Sequence, residues 1–239
     1  MKSFTLLFIL FCTTLLPAQN LLVNPGFEDG MNGWNELWTR DAGAGQAEII
    51  NENAYTGTYA LHIVHAGEQD WSFEQAEKIT VTAGEIYEFS ARVQAANISD
   101  WTELSVILYD DQQNVLEWAH GSRYFESGEI YTLYSSQFVI PENVAYIRAR
   151  FIGGGACDLY IDDVSLQLQG TLPEDKQYSL ENDHLRVDLT IPSMTLYITD
   201  TDIDQSYEFS GVSGWFVTRV DSSADSLALH AVLLSADLE

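Results

Sequence analysis

The most informative candidates for chemistry in this sequence are tryptophan and tyrosine side chains that stand among polar residues. Trp71 lies between Asp70 and Ser72, and Glu74 follows three positions later. An aromatic ring can stack on the apolar face of a sugar ring, while a neighbouring carboxylate accepts hydrogen bonds from its hydroxyl groups. We therefore predict a stacking role for Trp71 and a polar role for Glu74. The alternative for Trp71 is packing in the core or at its rim.

A second group of candidates follows some fifty residues further along the chain. Trp118 precedes a polar run that contains Arg123 and Tyr124, and these three residues complete the predicted binding set. Trp101 also has polar neighbours, but packing is the favoured interpretation for it.

Two carboxylates at opposite ends of one region raise the question of a metal ion. Counting alternate positions back from Leu166 through Val164 places Asp162 on the same strand face as these apolar side chains. A core-facing ionised carboxylate is costly unless a cation or strong donors meet it. Glu28 raises the same question near the start. We hypothesise that Glu28 and Asp162 share one structural cation; the alternative is two solvated surface carboxylates.

Common catalytic motifs are missing from the sequence. It contains no Gly-x-Ser-x-Gly elbow, HExxH helix or phosphate-binding loop. Glycoside hydrolysis needs two carboxylates beside one bond, but with 36 acidic residues some pair will always be close, so abundance decides nothing. The run from Asp200 to Asp204 resembles the start of a calcium loop, yet Gln205 and Gly211 stand where glycine and glutamate are needed, which excludes an EF-hand.

Periodicity indicates an all-β chain. Tyr87, Phe89, Ala91 and Val93 alternate with polar residues, and similar short runs recur with turns between them, while no stretch has a sustained helical period. About eight to ten such strands favour a β-sandwich or jelly roll. The sandwich domain is predicted to span residues 20–168.

The two ends of the chain have a different character. A basic start followed by the apolar run from Phe4 to Leu16 predicts a secretory signal peptide over residues 1–19. Residues 169–177, with Gly170 and Pro173, read as a linker. Residues 178–239 form a further β-rich segment, either the opening of a second domain cut short or a part that pairs with the first domain.

Charge and cysteine content narrow the classes of partner. Ten Lys and Arg against 36 Asp and Glu give a formal net charge of −26, which repels nucleic acids, anionic membranes and highly anionic polysaccharides. Neutral glycans and cations are left as partners, although acidity can also serve solubility alone.

Cys157 is the only cysteine outside the signal, so we expect it to be a small buried residue without a disulfide.

Several of these features together resemble a known family. The opening NPGFE…GW from Asn24 to Trp34, the Gly57-Thr58-Tyr59-Ala60-Leu61 turn, the isolated Trp71 and the closing LYIDDVSL resemble a CenC-type carbohydrate-binding module. The resemblance covers roughly Asn20 to Leu168. It implies a galactose-binding-like jelly roll that binds sugars against two or three aromatic residues.

The resemblance also bears on individual positions. Trp71 matches the family's aromatic pattern best, while Trp118, Arg123 and Tyr124 match by approximate location. It implies a structural Ca²⁺ held by Glu28, Asp162 and a backbone carbonyl near Thr58, a ligand set that calcium favours.

Three functions remain open at this stage. The leading hypothesis is a secreted, non-catalytic module that binds a polysaccharide, neutral in charge, and targets an associated domain. The second is the N-terminal part of a glycoside hydrolase or polysaccharide lyase whose catalytic region begins near Tyr178. The third is a cell-surface sandwich that contacts other proteins.

Overall fold

The computed structural model describes residues 19–172, 176–181, 183–191, 195–209, 215–222 and 227–233. The predicted signal peptide therefore lies almost wholly outside the described residues. Within these ranges the chain forms strands and turns and contains no α-helix, so the all-β prediction is confirmed. In the same part of the chain, no helix is long and apolar enough to cross a membrane.

Eleven strands build the sandwich, and their order in the chain fixes the labels used below. They are β1 (Trp38–Thr39), β2 (Gly45–Ile50), β3 (Ala60–His65), β4 (Asp70–Glu74), β5 (Ile79–Thr80), β6 (Glu85–Ile98), β7 (Trp101–Tyr109), β8 (Val115–Tyr124), β9 (Thr132–Val139), β10 (Tyr146–Gly154) and β11 (Cys157–Thr171).

These strands form two antiparallel sheets. The first sheet has the order β1-β4-β10-β7-β8, with the short β5 also paired to β10. The second sheet has the order β2-β3-β11-β6-β9. Neighbours in each sheet are mostly distant in sequence, as in a jelly roll.

Alternation along each strand creates the core between the sheets. On β6, Tyr87, Phe89, Ala91 and Val93 are buried while the residues between them are more exposed, as the sequence predicts. Trp34 joins this core, stacked on Phe73 with a centroid separation of 5.2 Å. The core is thus continuous and rich in aromatic rings, which gives a sandwich without disulfides its hydrophobic stabilisation.

The start of the sandwich lies along its last strand. Asn20 donates from its side-chain amide to the Val164 carbonyl (2.9 Å) and accepts from the Leu166 N–H (3.1 Å). The Leu21 N–H donates to the Leu166 carbonyl, and the Val164 N–H donates to the Pro25 carbonyl. The first and last parts of the domain are therefore held together by direct hydrogen bonds.

Further strands follow the sandwich. They are β12 (Lys176–Glu181), β13 (Leu185–Ile191), β14 (Thr195–Asp200), β15 (Gln205–Phe209), β16 (Trp215–Ser222) and β17 (Leu227–Leu233). The first four form an antiparallel meander and the last two form a hairpin. Within the predicted linker, β11 continues to Thr171 and β12 begins at Lys176. The additional C-terminal segment is thus rich in strands, as its sequence predicts.

Candidate functional site

A cleft lies on the outer face of the first sheet. Its volume is about 570 Å³, and its lining combines aromatic, charged and small polar side chains. The lining residues are Trp38, Arg40, Asp70, Ser72, Glu74, Trp118, Arg150 and Ile152. They come from β1, β4, β8 and β10 and the residue after β1, so the sheet order brings together positions up to 114 residues apart in sequence.

Two exposed tryptophans stand in this cleft. Trp38 on β1 is 50% exposed and Trp118 on β8 is 62% exposed, although large apolar rings are usually more buried. An arginine lies near each ring: the guanidinium of Arg40 is 5.6 Å from the Trp38 ring centroid, and that of Arg150 is 6.0 Å from the Trp118 ring centroid. The cleft therefore offers two apolar surfaces that are positioned beside charged hydrogen-bond donors.

The carboxylates of the cleft are paired with arginines. Arg40 binds Asp70 through two N–H groups, and its hydrogen bonds hold the pKa of Asp70 below the ordinary value. Glu74 accepts from Arg148 at 3.0 Å and from the Ser72 hydroxyl at 3.0 Å. Paired in this way, the side chains are held in fixed orientations and present both donors and acceptors to a ligand.

Two buried ionisable groups lie beneath the exposed surface. Arg150 is only 4% exposed and donates from Nη2 to the Trp118 backbone carbonyl; its burial lowers its pKa. Glu103 on the neighbouring β7 is also buried, which raises its pKa even though the Ser122 hydroxyl donates to it at 2.9 Å. Arg150 therefore gives the cleft a charged lining residue that is almost fully shielded from water.

The predicted stacking role of Trp71 is wrong in this structure. Its side chain is fully buried on the core face of β4. The ring packs so closely against Gly153 that a Cβ atom at that position would be only 2.8 Å from the Trp71 Cζ2 atom. The physical reason is strand alternation: Asp70, Ser72 and Glu74 point to the cleft, so the residues between them point to the core. The polar neighbours of Trp71 in the sequence therefore line the cleft, whereas Trp71 itself packs in the core.

The remaining predicted binding residues fall in two places. Glu74 and Trp118 line the cleft. Arg123 and Tyr124 are exposed at the end of β8, outside the lining, where the Tyr124 ring makes an edge contact with Trp101 at 6.4 Å between centroids. They belong to a second aromatic group on the same sheet, because Tyr124 is paired with Glu103 on β7.

Sequence reasoning missed Trp38, Arg40, Asp70 and Arg150 as members of the site. Trp38 lies on a strand of two residues, too short for a periodic pattern. Arg150 offered the clearest signal, because it is a cation between the apolar residues Ala149 and Phe151 on a strand whose other charged residue is Arg148. A charged residue in such a position needs polar partners, which here are found on the cleft face.

Glu28 and Asp162 are both met by backbone N–H groups. Asp162 is fully buried and accepts from Tyr55 (2.9 Å), Thr56 (3.0 Å) and Asp163 (2.7 Å). Burial raises its pKa, and these donors act against that rise. The turn before β3 is thereby tied to β11.

Glu28 is exposed and accepts from the N–H groups of Tyr59 (3.0 Å) and Thr58 (2.7 Å), which lower its pKa. Thr58 thus contacts Glu28 through its N–H, whereas the calcium prediction used a carbonyl there. Backbone N–H donors therefore bind both carboxylates. Strong donors are the alternative to a cation for stabilising an ionised carboxylate.

A calcium ion would have to use the acceptor sites that these amides leave open. Each carboxylate oxygen can accept more than one bond, so Glu28 and Asp162 keep oxygen ligands of the type calcium prefers. No group of three or more His, Cys, Asp or Glu side chains suited to a metal occurs among the described residues. Backbone carbonyls would therefore supply the rest of the shell, and the calcium ion stays a prediction.

A β-sandwich with two exposed tryptophans in a cleft on one sheet is an arrangement that can stack on sugar rings. Residues 19–154, more than half of the chain, match the CBM4/9 family, described as a carbohydrate binding domain. The chain therefore belongs to this carbohydrate-binding family, and its resemblance to such a module is confirmed. No curated protein sequence matches it.

Several solved structures are similar to this chain at low sequence identity. The tailspike protein 4 enzymatically active domain of bacteriophage CBA120 is 14% identical, with a TM-score of 0.51 over 62% of this chain and 21% of its own. A Clostridium thermocellum xylanase 10B fragment, CBM22-1 with GH10 modules, is 18% identical, with a TM-score of 0.49 over 62% of this chain and 28% of its own. The chain thus spans about a fifth to a quarter of these two proteins.

A separate module, family 16 carbohydrate binding module-2, is covered almost entirely. It is 18% identical, with a TM-score of 0.46 over 62% of this chain and 99% of its own.

Proposed function

We propose that the cleft binds a polysaccharide chain, with Trp38 and Trp118 stacking on its sugar rings. The observation that carries this proposal is the pair of exposed tryptophans in one cleft of a carbohydrate-binding family member. Ser72, Glu74 and the Arg40–Asp70 pair line the same cleft and supply donors and acceptors for sugar hydroxyls.

The charges of the lining support a polysaccharide with a neutral backbone. The lining contains two arginines, Arg40 and Arg150, and two carboxylates, Asp70 and Glu74, so its formal charges sum to zero in a chain whose formal net charge is −26. A polymer with a charge on every sugar would be repelled by the whole protein at long range. A neutral chain escapes that repulsion and still uses every hydrogen-bonding group in the cleft.

The test is affinity electrophoresis of the full chain in gels that contain soluble β-glucan, xylan, mannan or alginate. We expect one neutral polymer to retard the wild type, and Trp38→Ala and Trp118→Ala to lose most of that retardation. Tyr207→Ala is the matched control, because Tyr207 is 51% exposed and lies outside the sandwich. Equal retardation of all four proteins would rule out the proposed cleft.

We further propose that the module is exported and delivers an associated domain to its polysaccharide. Support comes from the strands β12–β17, which continue the chain beyond the matched family region. The competing function is an enzyme whose catalytic part begins in this segment. Release of reducing ends or unsaturated sugars by the full chain would favour that enzyme, and binding without cleavage would favour delivery.

A further inference from the structure

Positive charge is concentrated at the cleft of this acidic protein. Residues 19–172 contain six Lys and Arg residues. Two of them, Arg40 and Arg150, line the cleft, and Arg148 occupies the next cleft-facing position on β10. Half of the cations in the sandwich therefore lie on one patch of one sheet.

Two of these three arginines are already occupied by carboxylates. Arg40 pairs with Asp70, and Arg148 pairs with Glu74 at 3.0 Å. Ser72 adds its hydroxyl to Glu74, so that carboxylate has two donors. Neither acid forms a direct ion pair with the third arginine, Arg150.

Arg150 is the exception. In the part of the chain that the structure describes, its one hydrogen bond runs from Nη2 to a neutral acceptor, the Trp118 carbonyl, and its Nε is buried without an acceptor. Within the described residues it forms no ion pair with a carboxylate, and Glu74, Glu103 and Asp70 act on it only through longer-range attraction. A buried guanidinium without a direct counter-charge is costly, and a carboxylate is the partner that fits its planar fork.

We propose that Arg150 binds a carboxylate that the ligand itself carries: an isolated uronic acid on an otherwise neutral polysaccharide. This inference rests on the proposed function of the cleft. The Trp118 ring lies 6.0 Å from the guanidinium, so a sugar ring stacked on Trp118 can present its carboxylate to Arg150. One carboxylate among neutral sugars meets this single site without the repulsion that a polyuronate would meet from a net charge of −26.

The test uses ligands in matched pairs. Isothermal titration calorimetry of the full chain compares glucuronoxylan, gum arabic and xanthan with the same polymers after chemical reduction of their carboxyl groups to alcohols. Carrageenan is added because a sulfate ester offers a similar oxyanion. The variants are Arg150→Met, Arg150→Lys and, as the matched control, Arg92→Met, since Arg92 lies on β6 in the other sheet against the Tyr55 ring.

We expect carboxyl reduction to weaken binding by the wild type at least roughly tenfold, the range for a hydrogen bond between charged groups. Arg150→Met should lose the same factor on the native polymer and become insensitive to carboxyl reduction. Arg150→Lys should retain part of the preference, because it keeps the charge without the fork. Arg92→Met should behave as the wild type.

Other results are equally decisive. If the wild type binds native and reduced polymers equally, the uronate inference is overturned while the proposed function stands. Binding of carrageenan alone would assign the site to sulfate. If no polymer binds in either form, the proposed function itself fails. Because the ligand pair is compared on the wild type, the inference remains testable even if Arg150→Met does not fold.

Discussion

Replacing Trp118 by alanine is the sharpest perturbation of the proposed cleft. The side chain is 62% exposed, and a tryptophan presents about 250 Å² of surface, so about 155 Å² is accessible. A sugar stacked on one ring face would cover about half of this area, roughly 75 Å². At about 25 cal/mol per Å², the lost contact costs about 2 kcal/mol, or roughly a 25-fold higher Kd.

The structure indicates that this change is local. Arg150 donates to the backbone carbonyl of Trp118, which alanine retains, so the guanidinium keeps its hydrogen bond. The free energy of unfolding should therefore change little, because an exposed ring contributes little packing.

Calorimetric titration with the polysaccharide that retards the wild type gives Kd, and urea unfolding gives the stability. The matched control is Trp71→Phe, which should lower stability because it leaves a gap beside Gly153, yet leave Kd unchanged. The reasoning is refuted if Trp118→Ala binds as tightly as the wild type while a folded Trp71→Phe protein loses affinity.

Three further predictions concern buried and paired carboxylates. Asp162→Ala leaves three backbone N–H groups without their acceptor, so the free energy of unfolding measured in urea should fall by at least about 2 kcal/mol. A fall below about 0.5 kcal/mol, the usual limit for surface substitutions, would contradict the assigned contacts. Burial raises the folded pKa of Glu103, so the folded state binds the proton more tightly and stability falls as pH rises from 4.5 through that higher pKa. Glu103→Gln should remove this slope; identical pH profiles of the two proteins would show that the carboxyl is not perturbed. If calcium binds at Glu28, a free calcium concentration 100-fold above its Kd stabilises the folded protein by about 2.7 kcal/mol. A chelator should therefore lower the Tm of the wild type but not the Tm of Glu28→Gln. An unchanged Tm of the wild type would exclude a structural calcium.

The strand pattern was predictable because alternation is a local property. The dry and wet faces of β6 follow from counting every second residue, and the structure confirms them. The same count is wrong for Asp162, because a β-bulge between Asp162 and Ser165 shifts the alternation on β11. Asp162 is paired with Arg92 on the outer face of the second sheet and is buried there under the turn at Tyr55 and Thr56, whereas Ile161 is paired with Val93 in the core. The hydrogen-bond donors that bind Asp162 were harder to predict from the sequence. Its donors come from the turn at Tyr55 and Thr56, more than a hundred residues away, and no periodicity encodes that contact.

The binding residues were harder to predict because the cleft depends on the order of strands. Trp38 and Trp118 are 80 residues apart in the sequence and line one cleft only because the strand order β1-β4-β10-β7-β8 places their strands in the same sheet. The polar surroundings of Trp71 did reveal a cleft-facing segment. They misled about Trp71 itself because neighbours on a strand point to opposite faces, so the polar residues mark the face that the tryptophan avoids.

The hydrogen bonds between Asn20 and β11 have a consequence for how this module can be built into larger proteins. Because the chain enters beside Val164 and Leu166, both ends of the sandwich emerge from the second sheet, whereas the cleft opens on the first. A host protein could therefore carry the module as an insertion within one of its loops, attached by two adjacent stalks, with the cleft turned outward. The same adjacency makes a circular permutant practicable, with the old termini joined by a short linker and new ones opened in the turn between β7 and β8.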